Sequence, residues 1–165
     1  MSQDVEKYRT WVRQGQHSRS AAFYYLGKAI LEELGEEKGT DLIIKQVKEM
    51  GKASGLNRRR ILESKGLDNS LENYSASEKT FSNMVSFAWE SKVKKRTPDE
   101  VIRDFSYCPI AEGFKNFGDE GVKIGELFCM YIDDAVVQTY NPDYMCERES
   151  SLNLDGVCRL HFKKK

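Results

Sequence analysis

The chain has 165 residues, 39% of them hydrophobic, and its 26 basic and 26 acidic side chains leave no formal net charge. That length suffices for one domain with a core of its own, and the balanced charge excludes capture of nucleic acid or an anionic membrane by bulk electrostatic attraction. No apolar run reaches the ~20 residues that cross a bilayer, and Met1 to Tyr8 is polar rather than signal-like.

The expectations are therefore a single domain over 1–165, cytoplasmic, with a small-molecule ligand and no nucleic acid or membrane partner. Homo-oligomerisation stays open. Cys108, Cys129, Cys146 and Cys158 are the four cysteines. In a mid-sized chain without an export signal they are expected to be reduced and buried.

Phe23, Leu26, Ile30 and Leu34 recur at helical spacing, which predicts a helix from Ala21 to Leu34, capped by Ser18 or Ser20 and stopped by Gly35. Thr40 or Asp41 can cap a second helix whose apolar face carries Leu42, Ile43, Val47 and Met50. Gly51 and Gly55 follow, beside the run Arg58-Arg59-Arg60. This spacing fits two closely packed elements or an interrupted helix with solvated arginines, or an anion site in which one arginine, Arg60 being the candidate, holds a carboxylate. Asp68 or Ser70 opens a third helical stretch carrying Leu71, Tyr74, Phe81, Met84, Val85 and Trp89 inward. The charged run Lys92 to Arg96 with Thr97-Pro98 closes a helical part spanning 18–97.

A sheet part is expected over 98–165. Alternation from Val101 to Cys108 predicts a strand ended by Pro109, then a short helix from Ile110 to Phe117. Asp119 caps a longer helix from Glu120 to about Thr139, broken by Asn141-Pro142. The tail reads as a hairpin, Tyr144 to Leu154 and Val157 to Lys163, around a tight Asp155-Gly156 turn. The fold class is thus α+β: a helical N-terminal half packed on a small antiparallel sheet of about three strands with a C-terminal hairpin.

A two-residue turn at Asp155-Gly156 sorts the hairpin into two faces. Cys158, Leu160 and Phe162 would share one with Glu147, Glu149, Ser151 and Asn153. Carboxylates beside buried residue types either build a pocket of shifted acidity or sit wet at the sheet margin. Cys129 and Asp133 are four apart on the long helix and share a side. The carboxylate raises the thiol's pKa, so Asp133 suits a base for water or a partner for a cation. Cys108 precedes Pro109 at a helix start, which can instead lower its pKa, making it the better thiol nucleophile. The chain has no C-x-x-C pair, and Cys158 and His161 fall on opposite faces of one strand, so no metal is expected.

Tyr25-Leu-Gly-Lys-Ala-Ile-Leu-Glu-Glu-Leu-Gly35, Gly51 with Gly55 and arginines, Tyr107-Cys108-Pro109, Cys129 with Asp133, Asn141-Pro142, Glu147, Ser151-Leu152 with Gly156, and Cys158-x-x-x-Phe162 together resemble the L-2-amino-thiazoline-4-carboxylic acid hydrolase family. The C-terminal hairpin also looks like the 4-vinyl reductase type of ligand-binding domain. The first resemblance implies a hydrolase that adds water to the C=N carbon of a cyclic amidine, turning the thiazoline into N-carbamoyl-L-cysteine without a cofactor. It matches Cys108, Cys129, Asp133, Glu147 and Cys158. Asp133 and Glu147 would then serve as base and amidinium partner in either order, with Cys108 or Cys129 as covalent alternatives and Cys158, Glu149, Ser151 and Arg60 around the substrate. The second resemblance implies a non-catalytic sensor or accessory domain that binds a small molecule.

Overall fold

Two long helices form the N-terminal half. Helix α1 (Gln3–Leu34) ends at Gly35, whose φ of +77° suits a residue without Cβ, and α2 (Glu36–Ser64) starts one residue later. Glu36 and Glu37 occupy the first turn of α2, where the helix end favours negative charge. The computed structural model describes residues 3–74 and 88–165. Residues 71–74 are helical, and the rest of the third expected helix, 75–87, lies outside the described residues.

Both helices outrun their sequence signals. Ser18 and Ser20 are not caps but lie inside α1, where the buried Ser20 hydroxyl reaches the carbonyl oxygens of Ile110 at 2.9 Å and Gln16 at 3.1 Å. The polar lead is held to the sheet by Arg13, which donates to the Ala88 carbonyl at 3.0 Å and stacks 4.0 Å over Tyr107. Gly51 and Gly55 do not interrupt α2; they are buried where it packs closely on another helix, the first of the alternatives the spacing allowed.

The C-terminal half interleaves β1 (Glu90–Thr97), β2 (Glu100–Tyr107), α3 (Pro109–Lys115), α4 (Gly118–Tyr140), β3 (Tyr144–Ser150), the single turn α5 (Leu152–Asp155) and β4 (Cys158–Lys164). The strands form one antiparallel sheet in the order β1-β2-β4-β3. The sheet therefore has four strands, not about three. The extra one, β1, is the charged run read as the end of the helical part. Its side chains are almost all exposed, so no period-2 apolar signal marks it, and its lysines suit an unprotected edge.

Helix α4 crosses the sheet and joins two cores. Ile124 and Phe128 pack with Tyr24, Ile43, Val47 and Phe114 of the helical layer. Val136, Val137 and Tyr140 pack with Val101, Leu160 and Phe162 of the sheet. The expected arginine run is divided by this packing: Arg59 Nε caps the end of α4 at the Tyr140 carbonyl, 2.7 Å away, Arg58 stacks 4.3 Å over Tyr74, and Arg60 is exposed.

The sheet's other face is a ladder of charge. Arg159 donates to both oxygens of Asp104, at 2.6 and 2.8 Å; His161 lies between Glu100 at 2.9 Å and Glu149 at 2.8 Å; and Lys163 meets Glu147 at 2.7 Å. The guanidinium of Arg159, with Lys94 further off, holds the Asp104 carboxyl below its ordinary value of 3.8. A carboxyl depressed in the folded state stabilises above its unfolded pKa, and that contribution is lost as pH falls through the lower folded value. Asp104→Asn should accordingly be less stable than wild type at pH 7, with the gap closing below about pH 4. Urea unfolding across pH 2–7 measures this, and a gap that stays constant would rule out the pair as its cause.

Candidate active site

Between α4, the inner face of the sheet and α2 lies a cavity of about 380 Å³, within the range of small-molecule sites. Glu126, Cys129 and Asp133 enter it from α4, spaced three and four residues apart and so on one helix side. Cys108 enters from the start of α3, Cys158 from β4, and Arg148 from β3.

The register of the hairpin decides what else reaches this space. The expected two-residue turn at Asp155-Gly156 does not form. Residues Leu152–Asp155 make a helical turn capped by the Ser151 side chain, which accepts from Asn153 N, and Gly156 closes it at φ +73°. Cys146 consequently pairs with Phe162, Glu147 with His161 and Arg148 with Leu160. The pairing lies three residues from the one a two-residue turn would set, and an odd slip exchanges the faces of a strand. Cys146 and Arg148 turn inward, while Glu147, expected to be catalytic, and Glu149, expected to bind substrate, stand on the outer face with Lys163 and His161. Arg60 also lies outside the cavity.

A bulge then restores the inward direction. The register shifts between Arg148 and Ser150, so Ser150 pairs with Arg159 and the buried Ser151 faces α4. The Ser150 hydroxyl repairs the ladder, donating to the Val157 carbonyl at 2.7 Å and accepting from Arg159 N at 3.0 Å. Glu126 gains most from this. Its Oε1 accepts from Ser151 Oγ at 2.7 Å and Asn153 Nδ2 at 2.8 Å, and its Oε2 accepts from Arg148 Nη2 in an ion pair whose side chains are 17% and 9% exposed.

The structure thus brings Asp133, Cys108, Cys129, Cys158 and Ser151 to one cavity and leaves Glu147, Glu149 and Arg60 outside it. Glu126 and Arg148 escaped the sequence reading. Glu126 had a signal, since it precedes Cys129 and Asp133 at helical spacing; Arg148 had none, because its inward direction depends on the β3–β4 register.

The thiols are held neutral. Burial raises Cys129 well above the usual thiol value, with the nearby Cys108 adding to it, and raises Cys158 to about 12, with Asp133 adding to that. Cys108, expected to be lowered by its helix start, is raised as well: burial outweighs the Ala111 and Ile110 N–H groups and Trp89 that favour its thiolate. At pH 8 a thiol with a pKa of about 12 carries roughly a thousandfold less thiolate than an ordinary one. Iodoacetamide should label Cys158 in the folded protein on the order of a thousandfold more slowly than in the urea-unfolded chain, and Cys108 and Cys129 more slowly as well, as read by mass spectrometry. Rapid labelling of one of them in the folded state would identify an activated thiol.

Among the described residues no group of three His, Cys, Asp or Glu side chains is placed to hold a metal ion, and no helix is long and apolar enough to cross a membrane.

Comparison with known proteins places this geometry. The family model described as L-2-amino-thiazoline-4-carboxylic acid hydrolase matches residues 15–162. No curated protein matches the chain. Among solved structures, one similar in fold is a trafficking protein particle complex subunit 3 from Naegleria fowleri covalently bound to palmitic acid, with a TM-score of 0.55, 14% identity, and coverage of 92% of this chain and 95% of that one. At that identity the likeness is one of fold alone.

Proposed function

We propose that this chain, which belongs to the L-2-amino-thiazoline-4-carboxylic acid hydrolase family, adds water to the C=N carbon of a small cyclic amidine in the cavity beside α4. The observation that carries the reading is that Glu126, Cys129 and Asp133 line one cavity from a single side of α4. Glu126 is occupied by three donors, so it serves as a brace. Asp133, two turns further along the cavity wall, is the carboxylate assigned to proton transfer.

In the proposed reaction Asp133 takes a proton from water as the water oxygen bonds to the amidine carbon; the C=N π pair moves to the ring nitrogen, which receives that proton from Asp133. The tetrahedral carbon then re-forms a carbonyl as the ring C–S bond breaks, the hydroxyl proton passing to the departing sulfur, and the carbon becomes the carbonyl of an N-carbamoyl group with a free thiol. The product is heavier by one water. A covalent route through Cys108 or Cys129 is the less favoured form of the same reaction, because burial keeps both thiols protonated. Cys158 and Ser151 serve as cavity wall, Ser151 by holding Glu126.

Incubation with 2-amino-2-thiazoline-4-carboxylate and related cyclic amidines, followed by mass spectrometry, tests this. Conversion to a species one water heavier is the expected result. No conversion of any amidine in the series by folded protein would remove the reading.

A second reading, a non-catalytic ligand-binding domain, draws on the apolar share of the cavity wall, with Phe105, Phe128, Ile132 and Leu160, and on the Naegleria fowleri subunit, which holds palmitic acid covalently. It expects small molecules to raise the melting temperature and to be recovered unchanged.

A further inference from the structure

We propose that Arg148 is the anchor for a carboxylate on the ligand and that Glu126 is the positioning residue that aims it. The proposal deepens the hydrolase reading and rests on it for the choice of ligand. A guanidinium carries five N–H donors in a rigid plane. The Arg148 side chain is 9% exposed, and what remains accessible lines the cavity. Nη2 donates to Glu126; among the described residues Nε and Nη1 have no hydrogen-bond partner, and neither is fully buried. A cation taken out of water with donors to spare needs an acceptor, and the cavity is where one can enter.

Glu126 fixes the direction. Ser151 and Asn153 hold one of its oxygens, which leaves the other on the guanidinium, so neither carboxylate nor guanidinium can swing away singly. The free edge of a planar fork matches the two oxygens of a carboxylate better than a point-charge cation would. The rest of the site suits this polarity. Asp133 follows Glu126 by seven residues on α4, about 10 Å along the helix, so a ligand whose carboxylate meets Arg148 presents its other end toward the assigned base. Among the cavity's arginines, Arg58 instead spends its guanidinium face on Tyr74.

The test uses probes that lack a C=N bond and cannot be hydrolysed by the proposed route: thiazolidine-4-carboxylate, and thiazolidine without the carboxyl. Binding is followed by NMR titration. Wild type should prefer the carboxylate probe by roughly 10–100-fold, the worth of a charge-assisted pair. Arg148→Lys keeps the charge but loses the fork, and should lose most of the preference. Arg148→Met alone would strand Glu126, so it is paired with Glu126→Leu, which removes both charges; this variant should bind the two probes alike. Glu126→Gln should reduce the preference severalfold by loosening the aim.

Wild type without a preference for the carboxylate, or variants that retain it, overturn the anchor. The two readings fail separately. A preference that vanishes with Arg148 while no amidine gains water leaves the anchor standing and removes the hydrolase; water addition with an unchanged preference in the Arg148 variants does the reverse.

Discussion

Asp133→Asn should lower kcat/KM for water addition by about a hundredfold or more, while near-ultraviolet circular dichroism shows the tertiary packing intact. Asparagine keeps the shape and one acceptor oxygen of aspartate but cannot take a proton at neutral pH, so the change isolates the proposed chemical role from packing. Glu147→Gln is the contrasting experiment. Glu147 stands on the outer face of β3, 2.7 Å from Lys163 and away from the cavity, and its loss should leave the rate within about twofold of wild type, as expected for an exposed ion pair. Cys108→Ser and Cys129→Ser separate the direct route from the covalent one. With water as the attacking group both should retain most of the activity. Abolition by Cys108→Ser, together with a wild-type protein adduct in single-turnover mass spectra, would transfer the role to the thiol. Full activity in Asp133→Asn would remove Asp133 from the reaction.

The contrast between Asp133 and Glu147 also marks how far the chain's function can be read from its letters. Helix α4 is written plainly: a carboxylate cap region, apolar residues on two sides, and Cys129 with Asp133 at a spacing only a helix brings together. The hairpin is not. Asp155-Gly156 is a strong two-residue turn signal by itself, yet Asp155 accepts from Ser151 N at 2.7 Å and Ser151 caps the turn it opens, so four residues coil where none were expected to. That local hydrogen bonding moves the register by three, an odd number, and exchanges Glu147 for Arg148 at the cavity wall. Strand β1 was hidden for a different reason. Both of its faces are wet, so its identity comes from backbone pairing with β2, which leaves no trace in hydrophobic periodicity. Cys108, Cys129, Asp133 and Cys158 lie on elements whose phase the sequence sets, and all four reach the cavity. Arg148 and Ser151 point inward together only because of the bulge between them.

A large effect on stability is expected at Gly55. A Cβ there would lie 2.4 Å from the Val136 carbonyl oxygen and 2.9 Å from Thr139 Cβ, and the first of these is backbone in the middle of α4. Alanine is ordinarily the better helix residue by about 1 kcal/mol. Here that gain is outweighed, because a carbonyl inside a helix cannot move alone: α2 and α4 would have to part by about 1 Å along their shared length. Overpacking of this kind costs about 1–3 kcal/mol, and the rigidity of both partners puts Gly55→Ala toward the upper end, a net loss of about 2 kcal/mol after the propensity gain is subtracted. Gly15→Ala provides the opposite sign. Gly15 is exposed within α1 and a Cβ there meets nothing within 4 Å, so the same substitution should stabilise by about 0.5–1 kcal/mol. Urea unfolding midpoints of the two variants decide the matter. Shifts in the same direction would mean that contact with α4 does not govern Gly55. The parting of the helices has a functional reading as well, since Ser54 and Arg58 line the cavity from α2 and Asp133 and Val136 from α4. Gly55→Ala should therefore weaken ligand binding even in the fraction of molecules that remains folded.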